Sequence, residues 1–326
     1  MHIPDGFLDA PTALATGVLA AAGVGVALRQ AHRHLPPRRV PLLGLAAAFV
    51  FAAQMVNFPV AGGTSGHLVG AVLTAALLGP SAAVIVLSAV LIVQCLVFAD
   101  GGLSALGANV FNMALVGGVF GWALYSGVAR VVGGLFGRVL GAAFAAWCST
   151  VLASVACAGE LAASGTVRFT VVLPAMAGVH MLIGVGEGLI TALVLVGIAR
   201  ARPELLRPDA ATASRRSYGP VLVYGALIAL GLALFVSPLA SRWPDGLERT
   251  AEALGFATRA APAVVAAPMP GYDVPGIHWS VLATSAAGAV GTVVAFVLAW
   301  VLARLLVRRP GLESLLPDDA ARGHRH

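Results

Sequence analysis

Long apolar stretches alternate with short polar ones along this chain, at the spacing of membrane-spanning helices. A spanning helix needs about 20 mostly apolar residues. Stretches of this kind run near 10–29, 41–59, 82–98, 107–128, 139–163, 170–199, 220–237 and 280–307, with a shorter one at 67–79. The pattern predicts an all-α fold, a polytopic transmembrane helical bundle of about nine spans. The stretch at 170–199 is long enough to tilt or to contain a break. Arginine placement orients the bundle. With the N-terminus outside, 16 arginines fall on inner segments and 4 on outer ones, namely Arg168, Arg242, Arg249 and Arg259. Positive charge is retained on the inner side, so the N-terminus is expected outside and the C-terminus inside.

The segment from Arg200 to Pro220 breaks the rhythm. It is polar and carries Pro203, Pro208 and five arginines. It divides a transmembrane unit at 1–200 from a second unit at 220–309, with 201–219 expected as a cytoplasmic linker. The second unit has two spans around an outer loop, 238–279, rich in Pro and Ala and without a strong helical period. The polar end, 310–326, is expected to be a disordered cytoplasmic tail.

Composition narrows the function. Hydrophobic residues make up 59% of the 326 and charged ones 10%, against roughly a quarter charged in soluble domains. Lipid is the expected solvent. Every basic residue is arginine. A P-loop needs its lysine, so any ATP hydrolysis must come from other chains, and Schiff-base chemistry is excluded. The formal charge of +6 is spread between apolar spans rather than gathered in a patch for nucleic acid. Neither H-E-x-x-H nor G-x-S-x-G occurs, and no prosthetic group is implied. Cys95, Cys148 and Cys157 lie in or beside apolar runs and read as small buried hydrophobes. No basic segment precedes the first apolar run, so no secretory signal is expected and the amino terminus should be retained.

That terminus carries candidate chemistry. The chain starts Met1-His2-Ile3-Pro4-Asp5-Gly6. The Met1 amine and the His2 amide nitrogen close a five-membered ring on a metal ion; the His2 amide and its Nδ1 close a six-membered one. Three nearly coplanar nitrogens result, and a fourth from another histidine completes a square. Square-planar nitrogen sites favour Ni(II) or Cu(II). The amide must lose its proton to bind, so affinity should rise with pH. The fourth ligand is expected to be His67, which follows the Gly-rich outer segment Asn57–Gly66 and lies at the same membrane face as Met1.

Four motifs, MHIPDGFLDAPT, VNFPVAGGTSGHLVG, FADGGLSALGANVFNMALVGG and LPAMAGVHMLIGVGEGLIT, occur in that order within residues 1–200. They resemble the CbiM/NikM family, the metal-binding components of energy-coupling-factor importers for nickel and cobalt. Pro244-Asp245-Gly246-Leu247-Glu248, between the last two spans, resembles the small PDGLE partner subunit of the same systems, here fused downstream. The resemblance implies a membrane-embedded component that binds the metal ion as substrate and works with a transmembrane coupling protein and cytoplasmic ATPases. It implies a site made of the amino terminus, His2 and the histidine matching His67. The start MHIPDG is similar to nickel members, with Co(II) as the alternative substrate.

Other polar residues carry weaker readings. Asn57, Asn109 and Asn112 either orient His2 or His67 or join helices to one another. Gln54 and Gln94 could do the same. His180 and Glu187, seven residues apart, share a helix face and read as a relay toward the inside or as a buried packing pair. Asp245 and Glu248 are candidates for guiding metal to the site, although Pro244-Asp245-Gly246 also reads as a plain turn. A secondary transporter working alone would require ionisable residues through several spans and matched half-repeats, which this sequence lacks.

Overall fold

A computed structural model of the protein describes residues 1–206 and 218–306. Most of the 201–219 segment and the whole of 310–326 lie outside the described residues.

The chain is a polytopic helical membrane protein. Among the described residues, seven helices are long and apolar enough to cross a bilayer. They are α1 (Ala10–His34), α4 (Pro80–Phe98), α5 (Leu106–Val132), α6 (Gly134–Ala163), α7 (Phe169–Ala201), α8 (Gly219–Leu239) and α10 (Ser280–Leu306). The other two expected spans are shorter: α2 covers Val40–Gln54 and α3 only Ala71–Leu78. Local chemistry explains why. Helix α2 stops ahead of Phe58-Pro59-Val60, which pairs antiparallel with Thr64-Ser65-Gly66 as the hairpin β1–β2. Helix α3 stops at Gly79, whose φ of 91° leaves the helical region, and Pro80 opens α4 at a position that needs no amide donor.

The remaining boundaries also follow from sequence. Asp9 caps α1 by accepting from Thr12 N at 3.0 Å. Helix α7 runs unbroken for 33 residues with Pro174 near its start. Helix α5 is π-helical over Val110–Phe120. The outer loop of the second unit contains a helix that its composition conceals: α9, Gly246–Leu254, held by a capping box between Asp245 and Glu248.

Two faces are defined by contacts among helix ends. Ser81 Oγ donates to Gln30 Oε1 at 2.6 Å, and His32 Nδ1 lies 2.5 Å from Leu306 O. The end of α1, the start of α4 and the end of α10 therefore share one face. At the other, Gly102 N donates to Ile3 O and Met269 N to Val97 O. Close packing relies on small residues. Any Cβ at Gly188 of α7 would lie 2.8 Å from Ala143 O of α6, and one at Gly44 of α2 would lie 3.0 Å from Phe296 O of α10. The second unit is thus packed directly onto the first.

Candidate metal-binding site

The amino-terminal segment is threaded into the protein. Ile3 is fully buried. Its amide donates to Asn109 Oδ1 at 2.8 Å, and Asn109 Nδ2 donates back to Ile3 O at 3.1 Å. Asp5 Oδ1 accepts from Ser104 N and Oγ, and Asp5 O accepts from Ala261 N. Gly6 makes the turn with φ +89°; a Cβ there would stand 2.4 Å from Arg259 O, so no other residue fits. These bonds fix where Met1 and His2 end up.

Met1 is 6% exposed and His67 8%. The Met1 amine lies 3.2 Å from His67 Nε2 and 2.7 Å from Asp245 Oδ2. The rings of His2 and His67 stack with centroids 5.3 Å apart and planes 24° from parallel. His67 Nδ1 faces the carbonyl of Leu68 at 3.2 Å, which leaves Nε2 as the free nitrogen turned to the amine. His2 Nε2 lies 3.1 Å from Gln94 Oε1, and its Nδ1 lies 3.2 Å from Asp100 Oδ1. Chelation through Nδ1 requires that nitrogen to leave Asp100. Beyond the ring, Gln94 donates to Gln54, and Gln54 donates to Val69 O, each at 2.8 Å. Tyr272 OH donates to Asp100 Oδ2 at 2.5 Å.

Electrostatics suits displacement by a cation. Burial pulls the amine toward neutrality, but the Asp245 carboxylate outweighs it and holds the amine's pKa above the ordinary value. Burial would raise Asp245, and the amine holds it below the usual carboxylate range instead. Burial lowers His2 against the pull of Asp100. Burial and the adjacent amine push His67 below its ordinary value, which favours the neutral ring. Among the described residues, no three His, Cys, Asp or Glu side chains converge as a metal-binding group. The nitrogens that do meet are the Met1 amine and the rings of His2 and His67.

The Pro244–Glu248 motif closes the site from the second unit. Pro244 O accepts from Ser65 N at 2.9 Å and Thr64 Oγ1 at 3.0 Å, and Ser65 Oγ donates to Trp243 O at 2.7 Å. The motif is thereby tied to the strand leading to His67. Asp245 Oδ1 accepts from the amides of Leu247 and Glu248, so Oδ2 alone faces the amine. Leu247 is buried in one cluster with Met1 and Ile3. Glu248 Oε2 accepts from Asp245 N at 2.9 Å, and burial followed by Asp245 raises its pKa. It braces Asp245.

The structure brings Met1, His2, His67, Asn109 and Asp245 together. It redirects others. Asn57 bonds through its main chain to Ser241 N, and its buried Oδ1 has no partner. Asn112 donates to Glu160 Oε2 at 2.7 Å rather than to a ligand. His180 and Glu187 do not pair: His180 Nδ1 faces Met176 O at 2.8 Å, and the Glu187 oxygens accept from Val69 N and Gly70 N at the uncapped start of α3. The expected packing pair does not form: Glu187 caps α3, and His180 lines a cavity. Asp100 and Tyr272 belong to the site and carry no sequence signal beyond a lone Asp near a span end and a Tyr in a Pro/Gly loop.

Residues 2–205 match the family model described as CbiM, cobalt uptake substrate-specific transmembrane region. The chain belongs to the CbiM family. Residues 219–308 match the PDGLE domain, so a CbiM region and a PDGLE region are fused in one chain. The chain is 37% identical over 306 residues to the NikMN protein of Archaeoglobus fulgidus, covering 93% of this chain and 98% of that one. It is 37% identical over 229 residues to the fused nickel transport protein NikMN of Rhodobacter capsulatus, covering 66% of each. A cobalt transport protein CbiM of Pelobacter propionicus is 35% identical over 215 residues, 63% of this chain and 94% of that one. A crystal structure of a transition metal transporter superposes with a TM-score of 0.58 at 31% identity, covering 67% of this chain and all of that one. The CbiM-family chain is a multi-pass membrane protein of the nickel and cobalt transport class.

Proposed function

We propose that this chain is the substrate-binding component of an ATP-driven importer of the energy-coupling-factor type, and that it captures Ni(II) at its outer face. The observation that carries this reading is the buried Met1 amine 3.2 Å from His67 Nε2, beside the His2 ring stacked on His67. Four nitrogens, the amine, the His2 amide, His2 Nδ1 and His67 Nε2, would hold the ion. That set suits Ni(II) in a square plane better than Co(II). Asn109 keeps the terminus in place, and Asp245 holds the amine until the ion displaces its proton. In this reading the chain crosses the membrane nine times, with α2 and α3 completed by the segments around the hairpin, and its N-terminus is outside. Residues 1–200 form the binding unit, and 220–309 the unit that closes it. A coupling protein and ATPase subunits supply the energy, consistent with a chain that has no lysine.

The test is nickel and cobalt binding to purified protein, with the native terminus and with one added residue ahead of Met1. Binding of about one nickel per chain, lost on extension, supports the chelate. Unchanged binding after extension rules it out.

A further inference from the structure

Beneath the amine and His67 lies a cavity of about 20 Å³, room for one water-sized sphere. Met1, His67, Thr150, His180, Asp245 and Gly246 contribute to its wall. His180 belongs to none of the four nitrogens assigned above, yet it is prepared as a ligand. It is 2% exposed and sits on the buried face of α7. Its Nδ1 donates to Met176 O at 2.8 Å, which fixes the ring and leaves Nε2 with a lone pair. A main-chain carbonyl on the far nitrogen is the usual support of a metal-binding histidine. His67 has the same arrangement, with Nδ1 on Leu68 O. Two rings with the same Nδ1–carbonyl arrangement therefore border one small cavity. The second unit is shaped around His180: a Cβ at Gly246 would stand 2.6 Å from Cε1 and 3.0 Å from Nε2.

The helix continues the theme. His180, Glu187 and Thr191 lie at i, i+7 and i+11, on one face of α7, and span about 16 Å along its axis. All three are buried, and Thr191 Oγ1 has no partner. That face runs from the cavity away from the outer loops. Glu187 holds the start of α3 at Val69 and Gly70, two and three residues after His67.

We propose that His180 Nε2 is the first inward ligand of the transported ion, accepting it from the chelate through a two-histidine station shared with His67. The proposal rests on the chelate reading above. A station with two nitrogens and space for one water binds more weakly than the four-nitrogen site, so an ion placed there is released rather than trapped. The step exchanges ligands only; the metal keeps its oxidation state, and the amine and the His2 amide regain their protons as the ion leaves.

The experiment compares His180→Asn and His180→Cys with the wild type in the complete transporter, measuring radioactive nickel uptake by cells and nickel bound to the purified chain. Asparagine can keep the bond to Met176 O but offers no ligand at the Nε2 position, whereas cysteine supplies a ligand. His180→Asn is expected to bind about one nickel per chain and to import at least about 10-fold more slowly. His180→Cys is expected to recover roughly a third of the uptake or more. Wild-type uptake by His180→Asn overturns the proposal. So does joint loss of binding and uptake in that variant, which would place His180 in the capture site or the fold. Equal loss of uptake in both variants also overturns it, since a ligand would then make no difference. Failure of the chelate reading is seen separately, as nickel binding that survives His67→Ala.

Discussion

The CbiM and PDGLE regions meet at one site and contribute opposite chemistry. The first brings nitrogens: the Met1 amine, His2 and His67, with amides from Gln94 and Asn109 behind them. The second brings oxygens: Asp245 Oδ2 on the amine, and Tyr272 OH on the carboxylate that faces His2 Nδ1. Nitrogen ligands select a late transition metal. In the structure Asp245 holds the amine, and Asp100, itself held by Tyr272, faces His2 Nδ1. Under the proposed chelate this is a division of labour, with selectivity in the region that carries the terminus and control of access in the region that covers it.

The sharpest way to break this comparison is to remove a nitrogen. His67→Ala should weaken nickel binding by more than the roughly 100-fold that loss of an outer partner costs. Isothermal titration at neutral pH measures it; a drop under about 10-fold would mean that His67 is no ligand. Next in size is Asn109→Ala. It removes both bonds to Ile3 and frees the terminus to move, so affinity should fall by about 10 to 100-fold with the ligands intact. The same titration checks this, and extra amide exchange at Ile3 should accompany it.

How much of this was open to sequence reading depends on range along the chain. Long apolar runs follow from local composition, so the membrane bundle could be read directly. The early end of α2 could not, because hydropathy does not register the hairpin that follows it; α3 already reads as a short stretch, and the Gly79-Pro80 break ends it. The meeting of Met1, His2 and His67 was legible because an expected chelate requires those types at one membrane face. Asp100 and Tyr272 were not, since they meet only through the fold, 172 positions apart. Helix α9 was legible in principle: Asp245 and Glu248 stand at capping-box spacing, but the Pro- and Ala-rich loop around them obscures it. The cap that Glu187 makes on α3 was not legible, because i+7 spacing shows which face a side chain shares, not which neighbour it meets.

The control exerted by Asp245 can be isolated through pH. Below the amine's pKa each bound ion displaces two protons, one from the amine and one from the His2 amide; above it, only the second. The logarithm of affinity should therefore rise with pH at a slope of about two, then about one. Asp245 holds the amine's pKa up. In Asp245→Asn, burial is no longer opposed by that carboxylate, so the bend between the two slopes should move to lower pH. Affinity well below the bend should change little, because the protonated apo site and the nickel-loaded site carry the same net charge. An unmoved bend would show that Asp245 does not govern the amine.

Tyr272→Phe is the gentlest test and the most specific one. Tyr272 stands at φ 61°, stacked on Phe98 with ring centroids 4.6 Å apart, so phenylalanine keeps the packing and loses only the hydroxyl. Without that donor, Asp100 loses its partner on Oδ2 and accepts more strongly from His2 Nδ1. A hydrogen bond to a charged group contributes about 1.5 to 3 kcal/mol, but only the part that differs between the empty and loaded site reaches the affinity. The expected change is about a threefold fall in nickel affinity, read by titration, with a slower on-rate because Asp100, relieved of one donor, holds His2 Nδ1 more tightly. If the on-rate stays fixed while affinity falls, Tyr272 stabilises the loaded site, and the second region would then take part in retaining the ion as well as in admitting it.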